Sequence, residues 1–305
     1  MTYQERLAEI ALADKRYVVM TAENRASIKS IPESLGDRFI DTGINEQALI
    51  GAAAGLALRG RIPIVHALSA FMTMRAFEFI RTDIGLAGLP VKLAGSVAGF
   101  LSEANGPTHQ ALEDISLMRG IPRMQIFCPA DEEELVIGLK DILESPFPCY
   151  IRLNHLKPSI NHSPQFKTGS AEVISDGKDI SIIVYGILLK EAMEAKKVLE
   201  EKGRSVRLIN LRTVMPIDEQ VVQAAASETS LIVTLEDHFL TGGLYSIVSE
   251  LLIRERIAGK VLPIALDNHW FRPALLPQVL EYEGFTGRQI ADRILKSLNG
   301  GTSHA

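Results

Sequence analysis

Residues 38–47, Arg38-Phe39-Ile40-Asp41-Thr42-Gly43-Ile44-Asn45-Glu46-Gln47, lead from a short apolar strand through a tight turn into a helix. That helix, continuing from Ala48 to Leu58, is almost entirely Ala, Leu, Ile and Gly, and its opening turn carries a lone carboxylate, Glu46. Acids favour helix N-termini because the dipole stabilises them by roughly 0.3–1 kcal/mol, which by itself accounts for a Glu at this place. Yet a carboxylate with apolar helical neighbours is costly to desolvate unless a ligand or dipole meets it. Farther along, Gly106-Pro107-Thr108-His109-Gln110 sets an imidazole behind a small-residue loop, at what reads as the start of another helix.

Around the opening stretch, β-rich runs alternate with helical ones. Tyr17–Met20, Arg38–Ile40, Ile62–Val65, Val91–Ala94, Met124–Phe127 and Cys149–Ile151 read as strands, with helices predicted near 46–59, 70–85, 109–119 and 131–143. Strand, helix, strand in this order means parallel βαβ units and an open α/β sheet. Asn154 to Ser170 breaks the pattern with Asn, His, Pro and Ser. The alternation resumes with Ile180–Val184, a helix over 188–202, Ser205–Ile209, a helix over 217–226 and Leu231–Thr234. The expected fold class is therefore α/β with two open, mostly parallel-sheet domains, divided as 1–160, a linker at 161–170, and 171–305. A length of 305 residues suits two such domains.

Composition narrows the function classes. A net charge of −5, with 23% charged and 47% hydrophobic residues, argues against nucleic acid, which favours a basic face. The opening Met-Thr-Tyr-Gln-Glu-Arg has no apolar signal core, and no run reaches the roughly 18 apolar residues of a membrane span. A cytoplasmic location is expected, with Cys128 and Cys149 as inert core thiols. Gly300 to Ala305 reads as a frayed tail.

In open α/β sheets ligands gather beyond the carboxyl ends of the strands. Arg38–Asp41 leads to Glu46, Ile64–Ala67 leads to Phe71, and Leu93–Ser96 leads into the loop that ends at His109. Three strand ends thus direct an acid, an aromatic ring and an imidazole to one rim.

Those strings, together with Gly51-Ala52-Ala53-Ala54-Gly55-Leu56-Ala57, Arg75-Ala76-Phe77-Glu78-Phe79-Ile80-Arg81, Ala111-Leu112-Glu113-Asp114 and Met118-Arg119-Gly120-Ile121-Pro122 with Pro129-Ala130-Asp131, resemble the transketolase family. The resemblance covers nearly the whole chain but only the C-terminal half of a full transketolase: the domain binding the pyrimidine ring of thiamine diphosphate, and the C-terminal domain. The family's Gly-Asp-Gly motif with a downstream Asn, which holds the diphosphate and its Mg2+ or Ca2+, has no counterpart. Ser175-Asp176-Gly177-Lys178 reads instead as a turn before a strand. The resemblance therefore implies the second subunit of a split transketolase, transferring a two-carbon ketol unit. Its expected partner is an N-terminal subunit carrying Gly-Asp-Gly, in an α2β2 heterotetramer.

By resemblance Glu46 holds a proton at the pyrimidine N1′ and so assists loss of the thiazolium C2 proton, while Phe71 stacks on the pyrimidine. Met74 stands where many relatives place another aromatic, and His109 contacts the donor's oxygen functions and assists proton transfer. As plain sequence, Phe71 also reads as an ordinary core phenylalanine on a helix, and His109 as a capping or packing histidine. Arg25, Ser27 and Arg152 are candidates for a substrate phosphate or other anion. His238, in Leu235-Glu236-Asp237-His238, reads either as close to the site entrance or dimer interface, or as a surface-loop histidine. Two departures bear on substrate: many transketolases carry His where Val97 stands and Asp where Asn105 stands, so the sugar does not follow from the family. A 2-oxo-acid dehydrogenase β subunit and a non-catalytic partner subunit are the alternative readings.

Overall fold

The computed structural model describes residues 1–300 and contains two compact units, one formed by 1–98 and 114–168, the other by 99–113 and 169 onward. The tail reading for 300–305 lies, from 301, outside the described residues.

In the first unit the strands are β1 (Tyr17–Thr21), β2 (Phe39–Asp41), β3 (Ile62–Leu68), β4 (Lys92–Ser96), β5 (Gln125–Phe127) and β6 (Cys149–Leu153). They lie in the order β5-β6-β4-β3-β1-β2, and every pairing among them is parallel. β1 and β6 are buried along their whole length, which is why they read as continuous apolar runs and not as alternating ones. The helices are α1 (Tyr3–Ala13), α2 (Ile31–Leu35), α3 (Glu46–Leu58), α4 (Phe77–Phe79), α5 (Asp114–Met118) and α6 (Glu132–Glu144). Tyr3 and Leu7 of α1, Val19, Ile64 and Ile151 of the sheet, and Leu139 and Ile142 of α6 share one core. From β1 the chain runs out to β2 on one side and returns to β3 on the other. The carboxyl ends of β1 and β3 therefore flank the crevice where the connections diverge.

The second unit holds β7 (Glu172–Ser175), β8 (Ile180–Val184), α7 (Leu189–Glu201), β9 (Val206–Asn210), β10 (Thr213–Met215), α8 (Glu219–Glu228), β11 (Leu231–Phe239), α9 (Leu244–Arg254), β12 (Val261–Leu266), α10 (Leu276–Tyr282) and α11 (Gly287–Leu298). Its sheet runs β12-β11-β8-β9-β7, parallel except for β7, which pairs antiparallel with β9. Cys128 and Cys149 are free and buried, and burial pushes the Cys149 thiol up to about 12, so Cys149 is not a ready thiolate. Among the described residues no helix is long and apolar enough to cross a membrane.

Three sequence expectations differ from what is observed. The sequence division assigns 99–113 to the first domain, whereas these residues pack with the second unit. Phe100 meets the rings of Phe271 and Phe285 edge-on at 5.5 and 4.9 Å, and a Cβ on Gly99 would run into Asp237. The helix expected over 109–119 is only α5. Pro107–His109 forms a single 3-10 turn, and Gln110 turns extended. Tertiary partners take the groups of this segment: Ala111 O accepts from Gly99 N at 3.0 Å, Leu112 O accepts from Phe239 N at 2.9 Å, and the buried Gln110 side chain donates from Nε2 to Phe271 O at 2.8 Å. The helix expected over 70–85 is α4 between two π-helical turns, Phe71–Arg75 and Ile80–Gly85.

Candidate active site

Glu46 is placed by its turn. Gly43 adopts φ 68°, a backbone that favours glycine, and its N–H donates to Asp41 Oδ1 at 2.9 Å. Asn45 then caps α3 by accepting from Ala48 N at 3.1 Å, so Glu46 begins the helix. Leu49, Ile50, Ala53 and Ala54 bury the same helix, and Glu46 is left 4% exposed. Its Oε2 accepts from Arg75 Nη1 at 3.0 Å. Arg75 Cζ also lies 4.3 Å from the centroid of the Phe71 ring. Phe71 and Arg75 bound the first π-helical turn, where Ala76 N reaches back five residues to Phe71 O at 3.3 Å. Such turns concentrate at functional sites. Met74, on the same turn, is half-buried.

Beyond β1, Arg25 donates from Nε and Nη2 to Asp41 Oδ2 at 2.8 and 2.5 Å. Burial acts to raise the Asp41 carboxyl, but the N–H groups of Gly43 and Glu23 and the Arg25 guanidinium outweigh it and hold Asp41 below the usual carboxylate range. Glu23, Arg25, Asp41 and Gly43 line an open depression of about 580 Å³. Ser27 Oγ meets His155 Nε2 at 2.6 Å, and His155 Nδ1 meets Glu132 Oε1 at 3.0 Å. A larger hollow of about 760 Å³ lies where Arg16, Tyr17, Arg61, Ile62 and Pro90 meet. Tyr17 and Ile62 open their strands, so this hollow is at the amino ends, opposite the rim that carries Glu46. Size does not mark the site here; chemistry does.

The structure therefore brings Glu46 and Phe71 together in the first unit and adds Arg75, with Arg25 and Ser27 on the loop after β1. Arg152, buried on β6, forks onto Asp114 with Nε at 2.9 Å and Nη2 at 3.3 Å, and Tyr150 donates to the same carboxylate at 2.7 Å. That fork fixes α5 to the sheet from inside. In the second unit Asn105 is exposed and donates to Ser102 O at 3.1 Å, and His109 Nδ1 lies 3.0 Å from Thr108 Oγ1. His238 is not a surface-loop residue: it is fully buried at the end of β11, with Nδ1 2.6 Å from Phe239 O. Neighbouring Glu236 caps α9 by accepting from Leu244 N and Tyr245 N at 2.6 and 2.9 Å, and Gly243 must be glycine because a Cβ would meet Glu236. Val97 holds φ 63°, a left-handed backbone unusual for a β-branched residue and common where function imposes strain.

Arg75 and His155 were not singled out by sequence. Arg75 lies four positions after Phe71, a spacing that puts both on one helical face, but nothing in the string shows that Glu46 of another helix meets that face. His155 falls in a stretch that reads as a linker.

Residues 1–158 match the profile of the transketolase pyrimidine-binding domain, and residues 169–290 match that of the transketolase C-terminal domain. The 6-deoxy-6-sulfo-D-fructose transketolase subunit SqwH of a Clostridium species is 37% identical over 82% of this chain and 79% of its own length. A putative transketolase C-terminal section of Methanocaldococcus jannaschii is 32% identical over 97% of this chain and 95% of its own. A solved split-gene transketolase, described as an inactive β4 tetramer, superposes with a TM-score of 0.87 at 34% identity, covering 97% of this chain and 96% of that one. The chain belongs to the transketolase family. Within it, the chain is the C-terminal section of a split transketolase, with the pyrimidine-binding and C-terminal domains on one polypeptide.

Proposed function

We propose that this chain is the β-type catalytic subunit of a thiamine-diphosphate-dependent transketolase that moves a two-carbon ketol unit from a ketose to an aldehyde acceptor. The observation that carries the reading is the buried Glu46 carboxylate, linked through Arg75 to the Phe71 ring, at the carboxyl rim of a parallel sheet. A pyrimidine needs such a pair: an acceptor that can hold a proton at a ring nitrogen, and an apolar face. The two side chains fit it. The diphosphate and a Mg2+ or Ca2+ ion fall to a partner subunit. Gly177 of the one Asp-Gly string packs against the Val206–Arg207 backbone, and Asp176 lies 3.6 Å from Arg207.

When bound, the cofactor would supply a carbon nucleophile towards the ketose carbonyl carbon. Glu46 accepts and returns the proton at N1′; a side chain this buried does so without bulk water competing. Phe71, with Met74 beside it, fixes the plane of the pyrimidine. His109 meets the oxygens of the substrate and takes up a proton as the carbon–carbon bond breaks. Arg25 and Ser27 bind the anionic end of the sugar, with Asn105 as a neutral reader of a hydroxyl. Arg152 and His238 act from within the fold, Arg152 by fixing Asp114 and His238 by packing under the Gly242–Gly243 turn.

The test is reconstitution. Alone, the chain binds thiamine diphosphate weakly and shows no ketol transfer. Mixed with a transketolase N-terminal subunit carrying Gly-Asp-Gly, it forms an α2β2 assembly that turns over. Calorimetry showing tight cofactor binding by the isolated chain would refute the division of labour.

A further inference from the structure

Glu46 and Phe71 are not simply neighbours; one side chain engages both. Arg75 donates to Glu46 Oε2 at 3.0 Å while its Cζ lies over the Phe71 ring at 4.3 Å. A guanidinium is a planar N–C–N donor, with hydrogen bonds in its plane and a face that stacks on aromatic rings. The amidine edge and flat face of an aminopyrimidine present the same pair of features. A buried carboxylate is expensive to leave unpaired, so Glu46 has reason to hold Arg75. The side chain of Arg75 is 45% exposed, against 5% for Glu46, so the guanidinium has water on its outer side and a way out. The backbone makes the contact possible. The π-helical turn sets Phe71 and Arg75 on one side, and Gln47 of α3 donates to Arg75 O at 3.4 Å, tying the turn to the helix that carries Glu46.

We propose that Arg75 is an internal competitor for the pyrimidine seat: its guanidinium binds Glu46 and Phe71 as the aminopyrimidine does, and must swing outward for the ring to enter. The inference rests on the assignment of Glu46 and Phe71 to the pyrimidine. The affinity for the ring is then its intrinsic affinity reduced by the fraction of chains in which Arg75 has withdrawn. Arg75 is a positioning residue in this scheme, holding the acid and the ring in register, and it works against the ligand rather than for it. Lysine would pair with Glu46 but could not stack through a plane.

The test uses the full chain and the cofactor's pyrimidine fragment, 4-amino-5-hydroxymethyl-2-methylpyrimidine, titrated by ligand-observed NMR. Arg75→Ala binds the fragment about tenfold more tightly than the wild type, the gain expected when a seat blocked nine-tenths of the time is opened. Arg75→Lys, which keeps the ion pair and protects the fold, gives a smaller gain of about threefold. Glu46→Gln and Phe71→Ala each lose the fragment. Equal or weaker binding by Arg75→Ala, with binding still lost in the other two variants, overturns the competition and makes Arg75 a helper. If Glu46→Gln and Phe71→Ala bind like the wild type, the seat itself is misassigned and the proposal fails with it.

Discussion

Replacing Glu46 with Gln separates the chemistry of the site from its stability. The amide keeps the shape of the side chain and an oxygen that can still accept from Arg75 Nη1, 3.0 Å away. What it loses is a charge in a pair whose arginine is 45% exposed, so solvent screens much of the attraction. The stability cost is therefore small, about 1 kcal/mol or less. The chemical cost is larger, because a Gln cannot take and return a proton at N1′. Loss of a positioned acid or base lowers turnover by roughly 10²-fold or more, equivalent to about 2.7 kcal/mol on the barrier. The variant would be reconstituted with a Gly-Asp-Gly partner and followed by steady-state turnover, by assembly on size exclusion and by urea unfolding. Turnover down a hundredfold with unchanged assembly and nearly unchanged unfolding is the expected pattern. Near-normal turnover would show that Glu46 is not the acid, however well it is buried.

The other expectations are structural or concern specificity. Asp114→Ala removes the carboxylate that buried Arg152 forks onto and that accepts from Tyr150, so urea unfolding should show a loss of about 3–5 kcal/mol; a loss under about 1 kcal/mol would mean the pair contributes little. Burial pushes the His66 imidazole from 6.5 down to about 4, so the unfolded chain binds a proton that the folded chain refuses. Stability should therefore fall as pH drops from 6.5 towards 4, by up to about 1.4 kcal/mol per pH unit, and His66→Gln should flatten that slope. An unaltered slope in the variant would acquit His66. Val97→His with Asn105→Asp should shift kcat/KM towards xylulose 5-phosphate in a panel of ketose donors, by on the order of 1–3 kcal/mol for each polar contact that the bound sugar itself buries. Histidine also suits the left-handed backbone at Val97 better than valine does, so the fold should tolerate the change. Xylulose 5-phosphate proving the best donor of the wild-type complex would refute the specificity argument.

The α/β alternation, the continuous apolar strands and the placement of Glu46 at the start of α3 are all legible in the amino-acid string. All of these are local: period, cap and turn chemistry act within a few residues. Asn45, Gly43 and the Ala-rich run could say that a helix begins at Glu46, but not what faces it. The spacing of Phe71 and Arg75 already suits one helical face, but that this face meets Glu46 of α3 follows from packing between segments almost thirty residues apart. Only the tertiary structure decided that Pro107–His109 is a single turn and that 99–113 packs with the second unit. Phe100, Gln110 and Leu112 make their bonds and ring contacts with Phe271, Phe285 and Phe239, which lie more than a hundred residues away along the chain. No propensity within the segment carries that information. The same holds for His238, whose polar string reads as a loop until β11 extends through it and buries it. Helix and strand were legible because they are settled between neighbours, whereas the partner of each charged or aromatic side chain is settled by segments distant in sequence.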